Sequence, residues 1–313
     1  MFALTLSLAI LTDWIFGDPK FFPHPVNLIG KIILAGKKFF FTDKNSFARG
    51  FAVCLLTLST TGLFVFLALY LTDNNFFVRI YFLYSALAWR DLKDETEIIF
   101  RALLNKNLNE ARKFLSYVVG RDTENLNETE IIRAVIETVS ENSIDGVISV
   151  MFYAALGNLL FDSYGMILFV WIFKAANTLD SMIGYKKYEN FGKASARLDD
   201  ILNFIPARLG GFIISIISFH SVRAIKIFLR DRKNHASPNS AHAESAFAGA
   251  LNIKLGGGAF YNGIFIQRPF INSQAREPEL FDIVSAWHLL DVSCAAFAVL
   301  MMVMLNFSAA FSI

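Results

Sequence analysis

The sequence predicts an all-α, polytopic membrane helix bundle with amphipathic helices and loops packed on its cytoplasmic face. Three observations carry that expectation. Hydrophobic residues make up 55% of the 313, with 33 phenylalanines among them, and the mean hydropathy is positive at +0.46, unlike an ordinary soluble domain. The run 51–72 carries no charge and is long enough to cross hydrocarbon. Charged and polar residues are gathered into segments at 90–145, 184–208 and 223–283 instead of being scattered. A formal net charge of +2 leaves no nucleic-acid footprint. Cys54 and Cys294 both lie in apolar runs, so there is no cysteine cluster or disulfide framework to argue from.

Taken in order, residues 1–16 form a short first span, and without a basic n-region or a small-residue cleavage site they read as uncleaved. GDPKFFPHPVNLIGK follows, where Pro19, Pro23 and Pro25 exclude regular helix and hold His24 in an extended turn. His24 is a candidate proton carrier or phosphate contact; the alternative is a hydrogen-bonding surface group. Spans 51–72 and 76–90 suggest a helical hairpin around Asp73, Asn74 and Asn75.

From 90 to 145 apolar residues recur at helical spacing, as in Ile98, Ile99, Ala102 and Leu103. Asn127 followed by Glu130 makes a capping box that starts a helix. Arg133, Glu137, Glu141 and Asp145 fall every fourth residue along it, which puts the three acids within about 80° of one another at 3.6 residues per turn. An Arg133–Glu137 surface pair is the modest alternative, worth about 0.2–0.5 kcal/mol. Carboxylates running into the apolar segment 146–161 are costly without partners or a task, which favours a site.

Spans 146–161 and 164–179 form a second hairpin, broken at Asp162 and Ser163. Two oxygen-rich clusters then follow, Asn177 with Asp180 and Asp199 with Asp200 and Asn203. Residues three or four apart share a helix face, so each cluster aims oxygens at one point. Such ligands suit Mg²⁺, which is usually held by one or two carboxylates plus substrate phosphates. The alternative is helix caps and ion pairs with Lys186, Lys187, Arg197 and Arg208. Residues 209–222 are too short for a full crossing and follow Pro206, which favours a re-entrant or interfacial helix. Within 223–283, glycines 256–258 free the backbone either for close approach to an anion or for a plain tight turn. Residues 284–307 are the last span, with His288 and Asp291 near its start. Placing the basic segments, including the loop 17–50, on one side satisfies the positive-inside tendency only if 209–222 does not cross.

The motifs GDPKFFPHPVNLIG, VGRDT, RAVIETVSENSIDGV, NTLDSMIGY, FGKASARLDDILNFIPAR, SPN and AGALNIKLGGGAFYNG, in this order and spacing, resemble the membrane-bound adenosylcobinamide-phosphate synthases of cobalamin biosynthesis. The resemblance covers nearly the whole chain. It implies a multi-pass protein of the cell membrane with its active site facing the cytoplasm, and leaves room for association with other late enzymes of that pathway. The implied reaction is an ATP-dependent ligation, in which a corrinoid, adenosylcobyric acid, is joined by an amide bond to aminopropanol phosphate or aminopropanol. Carboxylate activation places phosphate charge beside a carboxylate, so it calls for Mg²⁺, cationic clamps and a base.

On this resemblance Asp180, Asp199 and Asp200 hold Mg²⁺ and nucleotide phosphate. Glu137, Glu141 or Asp145 acts as base or second metal ligand, with His24 also a catalytic candidate. Substrate or phosphate is bound by Arg121, Asp122, Asn142, Asn177, Tyr185, Arg197, Asn203, Arg208, Ser237, Asn239, Gly256 and Gly257. One departure stands out. The family usually continues SPN as alanine-glycine-tryptophan-proline, whereas Ser240, Ala241, His242 and Ala243 follow here in what reads as a loop.

Residue pattern alone also admits an intramembrane prenyltransferase, but that chemistry expects two motifs of the form D-x-x-x-D or D-D-x-x-D. A transporter expects charges at mid-span and an internal repeat. Neither pattern is present.

Overall fold

The computed structural model describes residues 1–19, 23–41, 46–184 and 189–311. Its helices are α1 Phe2–Phe16, α2 Pro25–Phe40, α3 Phe47–Leu71, α4 Phe76–Tyr84, α5 Trp89–Leu104, α6 Leu108–Val118 and α7 Glu128–Asn142. A π-helical turn, Ser143–Ile148, leads into α8 Ser149–Ile183, and α9 Glu189–Leu202, α10 Phe204–Ile217, α11 Ser221–Asp231 and α12 Ser240–Leu251 follow. Two antiparallel ribbons come next, β1 Leu255–Gly256 pairing with β4 Phe270–Ile271 and β2 Ala259–Tyr261 with β3 Ile264–Ile266. The last helix is α13 Asp282–Phe311. The helical class expected from composition is the class observed.

Among the described residues, three stretches are long and apolar enough to cross a membrane: Phe47–Leu71, the apolar part of Glu128–Ile183, and Asp282–Asn306. Their exposed faces carry residues such as Leu63, Phe64, Leu71, Val299 and Met304, the surface that a hydrocarbon solvent accepts.

The chain divides into two compact units. The first holds residues 1–88, 149–203 and 298–313. In it α3 packs on α8 and α9, with backbone so close that a Cβ on Gly50 would lie 1.9 Å from the Phe191 carbonyl oxygen. Within α8 the backbone leaves helical geometry at Phe161 and Asp162. A Cβ on Gly157 would lie 2.1 Å from the Gly165 oxygen, a contact that one straight helix cannot make eight residues apart, so the arms fold back as a hairpin. Pro25 does not end a helix but starts one. It occupies the first turn of α2, where its missing N–H is no loss, and the neighbouring His24 is the N-cap. The run 76–90 divides at residues 85–88 into α4 and the start of α5.

The second unit holds residues 89–148 and 204–297. Its centre is α12, SAHAESAFAGAL, in which residues 240–250 are all buried. Small side chains let its neighbours approach backbone to backbone: a Cβ on Gly249 would lie 2.8 Å from the Ala224 Cα, and one on Gly211 would lie 2.8 Å from the His242 oxygen. Helices α7, α10 and α11 and strands β1 and β4 surround it. Residues 240–243, read above as loop, are its first turn. Asp291, an acid inside the last apolar stretch, has partners in this unit, accepting from Trp89 Nε1 at 2.9 Å and pairing with Lys93 at 2.6 Å.

Candidate active site

In the first unit the helical spacing that brings Asn177 near one end of α8 also faces it toward α9. Asn177 Nδ2 donates to Asp199 Oδ1 at 3.1 Å, and Asn203 Nδ2 donates to both Asp199 oxygens at 3.2 and 3.1 Å. Ser149 Oγ donates to Asn203 Oδ1 at 2.7 Å, and the Tyr153 hydroxyl holds the Leu202 carbonyl at 2.8 Å. Asp199 and Asn203 are buried, so these bonds replace water for groups that would otherwise be costly. Asp180 lies against Gly184, where a Cβ would fall 1.8 Å from Asp180 Oδ1. Asp200 is half-buried and Arg197 is exposed. Tyr185, Lys186 and Lys187 lie outside the described residues. His24 accepts the Val26 N–H on Nδ1 at 3.3 Å and pairs with Asp18 through Nε2 at 3.5 Å, a helix-capping arrangement.

The donor set fits a hard cation in the sparse mode of one or two carboxylates completed by phosphate oxygens. Asp199 supplies two oxygens among amides, with Asp180 and Asp200 on the same two helices. Among the described residues, no three His, Cys, Asp or Glu side chains gather as a metal-binding group.

The second unit gathers a different set. Glu137 on α7 accepts from Arg121 on Oε2 at 2.6 Å and from the Gly256 N–H on Oε1 at 2.8 Å. The alternative Arg133–Glu137 pair does not form, because Arg133 binds Glu277, which Lys254 also holds. Burial works to lower the Arg121 pKa, but the Glu137 carboxylate beside it wins and holds the guanidinium firmly charged. Glu141 accepts from Ser240 Oγ at 2.7 Å. Asn142 donates to the Thr138 carbonyl at 2.9 Å, a bond within its own helix. The four-residue spacing that aligned Asp145 with the other acids assumes α geometry, whereas Asp145 sits in the π turn, where the helix widens and the stripe shifts.

Asp122 caps a hairpin, its carboxylate accepting the N–H groups of Asn262 at 3.0 Å and Gly263 at 2.7 Å. Both turn residues have positive φ, 51° and 77°, as the tight β2–β3 turn needs. Gly256, Gly257 and Gly258 also have positive φ, and a Cβ on Gly257 would lie 2.0 Å from the Phe270 ring, so both conformation and space demand glycine. In the SPN segment Ser237 Oγ accepts the Asn239 N–H at 3.2 Å, and Asn239 Oδ1 accepts from Arg208 at 3.1 Å.

Arg121, Glu137, Gly256 and Gly258 line one small cleft, whose other walls include Asn234, His235, Glu244 and Arg268. These last four carry no mark in the motif reading. The signal lay in SAHAESAFAGAL: a helix small and apolar on every face is a buried helix, so its single acid, Glu244, had to be buried too. Burial, with the Glu137 and Glu141 carboxylates nearby, pushes the Glu244 pKa well up, so the acid keeps its proton. Burial also lowers the pKa of His235, and the Arg268 guanidinium adds to that, which favours the neutral ring.

These features define a helical membrane protein whose second unit encloses a small, charged cavity. The chain belongs to the family described as CobD/Cbib protein, whose model matches residues 6–290. Relatives named cobalamin biosynthesis protein CobD include one from Clostridium tetani, 41% identical over 88% of each chain. That of Clostridium acetobutylicum is 38% identical over 97% of this chain and 98% of its own. A third, from Desulfotalea psychrophila, is 40% identical over 91% and 92%. No solved structure matches.

Proposed function

We propose that this chain forms an amide bond in cobalamin biosynthesis, joining the free propionate of adenosylcobyric acid to aminopropanol phosphate or aminopropanol with ATP as co-substrate. The observation that carries the reading is family membership across residues 6–290, a range that takes in both polar groupings. Asp199, with Asp180 and Asp200, would hold Mg²⁺ and nucleotide phosphate; bound there, the metal supplies charge stabilisation as the carboxylate is activated. Arg121, fixed by Glu137, keeps a permanent positive charge beside the cavity for a developing or transferred anion. Gly256 and Gly258 bring backbone close to whatever occupies that cavity.

The protein sits in the cell membrane with lipid against its exposed apolar faces, and its basic segments and active site face the cytoplasm. The test is direct. Purified protein in detergent is incubated with adenosylcobyric acid, ATP, Mg²⁺ and each amine in turn, and the amide product is sought by mass. Product with at least one amine is the expected result, and none with any amine defeats the reading.

A further inference from the structure

In the second unit, the α10–α11 hairpin carries an outer surface that no step of the proposed reaction uses. Ile205, Leu209, Phe212 and Ile216 are exposed on α10, spaced by four, three and four residues, which places them on one helix face. Arg208, the one charge on α10, bends back to donate to the Phe204 carbonyl at 2.6 Å and to Asn239 Oδ1 at 3.1 Å. Ser215 donates to the Gly211 carbonyl at 2.7 Å, and Ser218 to that of Ser215 at 3.0 Å. The turn into α11 leaves Phe219 97% and Val222 83% exposed. Arg223, next to this turn, is directed inward, where its guanidinium donates to the Gly249 and Ala250 carbonyls at the end of α12 at 2.7 and 2.9 Å. Each of these polar groups is satisfied inside the protein, as a solvent that offers no hydrogen bonds requires.

The second helix repeats the spacing with different chemistry. Val222, Lys226 and Leu229 are exposed on α11 at the same intervals, and the exposed Lys233 follows four residues on, just past the helix end. Apolar residues and lysines therefore alternate along one stripe. Residues 204–233 hold six Lys and Arg and a single acid, Asp231, whose buried carboxylate Arg230 takes with two bonds of 2.7 Å. Both helices pack on α12 and on each other, so the two stripes turn away from α12. At 1.5 Å per residue the 14 residues of α10 reach about 21 Å, short of the roughly 30 Å of a hydrocarbon core.

A stretch too short to cross, apolar on one helix and alternately apolar and basic on the next, fits the boundary layer of a bilayer. There lysine stems lie among acyl chains while their ammonium groups reach the headgroups. The α10 face offers only aliphatic and aromatic side chains, so a protein partner would find no hydrogen bond on it to fix its position. We infer that the α10–α11 hairpin lies in the plane of one leaflet as an interfacial anchor of the second unit, with α10 at the top of the acyl chains and Lys226 and Lys233 on anionic phospholipid headgroups. This placement is independent of the ligase reading.

The experiment uses the full chain in nanodiscs of phosphatidylcholine, with and without phosphatidylglycerol. Spin labels are introduced one at a time through Ile205→Cys, Leu209→Cys, Phe212→Cys and Ile216→Cys, and Tyr117→Cys on the exposed side of α6 supplies the water-side reference. Cys54 and Cys294 are buried and stay in place, the unaltered chain serving as the labelling blank. A variant whose melting in detergent departs from the unaltered chain is set aside, since the remaining positions still fix the depth. Collisions with oxygen and with a water-soluble nickel complex read that depth. The α10 labels are expected to favour oxygen at one common depth, about 5–10 Å into the headgroup and acyl boundary. A depth that changes by about 1.5 Å per residue along α10 would make it part of a crossing and overturn the placement. Labels open to nickel, or shielded from both reagents by a protein or a second copy of the chain, would overturn it as well.

Lys226→Gln combined with Lys233→Gln tests the headgroups. Native mass spectrometry weighs the lipid kept through mild delipidation. The unaltered chain is expected to favour phosphatidylglycerol, and the preference to fall about fivefold for each lysine removed, with the α10 depth unchanged. Equal retention of the two lipids by the unaltered chain, or a preference that survives both substitutions, would sink the assignment of these lysines to anionic headgroups.

Discussion

The two polar groupings differ in how completely their hydrogen bonds are made. Around Asp199 both carboxylate oxygens accept: Asn177 and Asn203 donate to the carboxylate, and Ser149 donates to Asn203 in turn. Around Glu244 the opposite holds: the acid lines the cleft with Arg268, whose Nε is buried without an acceptor among the described residues. Polar density in a sequence finds networks of both kinds, because it registers which groups are present and not whether they are satisfied. An unsatisfied buried group is open to a ligand as it stands, whereas Asp199 has to exchange an amide donor for a cation before it can hold one.

The largest test of this contrast is Glu137, which joins the cavity wall to Arg121 and to the glycine run. Glu137→Ala leaves a buried guanidinium without its carboxylate, and a loss of about 3–5 kcal/mol is expected in thermal unfolding in detergent. Glu137→Gln should cost less, because its amide oxygen can still accept the Gly256 N–H. If the alanine variant melts with the wild type, Glu137 is not the strut that its two bonds describe.

Asp199→Asn comes next. It takes an acceptor from two amide donors, the buried Asn203 and the half-buried Asn177, and a cost of about 1–3 kcal/mol is expected in the same melt. Turnover at limiting Mg²⁺ separates the two roles open to this residue. A metal ligand gives a raised Mg²⁺ requirement, whereas a purely structural network gives lower stability with the Mg²⁺ dependence unchanged. Gly257→Ala is expected to cost a similar amount, about 1–3 kcal/mol and toward the lower end if the Phe270 ring can move aside, because φ of 95° and the ring contact both oppose a Cβ.

How much of this was legible follows from what each signal measures. The capping box at Asn127 and Glu130 forms in full, since it depends on residues three apart. The helical class was legible because composition reports the solvent the surface must meet. By contrast, Pro25 reads as a helix breaker and is a helix starter, a difference set by one position along the turn. Asp145 left its stripe because a π turn has no signature in spacing by four. Arg268 and His235 meet across 33 residues of chain, through a ribbon whose pairing only the fold decides. Glu141 was aligned correctly with Glu137 on α7, yet its partner Ser240 is 99 residues away.

His242 gives a test that leaves stability at pH 8 almost untouched, and it concerns the position where this family usually carries tryptophan. Its ring packs edge-on against Phe228 at 5.8 Å, and Nδ1 is buried without a partner. Burial first, and then the Arg208, Arg232 and Lys233 charges, pushes the pKa down to about 4 from an ordinary 6.5. Because the folded state holds the proton less tightly than the unfolded one, stability is full above pH 6.5 and falls as pH drops toward 4. The loss from this one group is on the order of 2–3 kcal/mol over that window. His242→Phe keeps the ring and removes the titration. At pH 8 its melting point should match the wild type, with a change below about 1 kcal/mol, and the gap should open in the variant's favour between pH 6 and pH 4.5. Parallel curves for the two proteins across that range would mean that His242 is already protonated, or hydrated, where it sits.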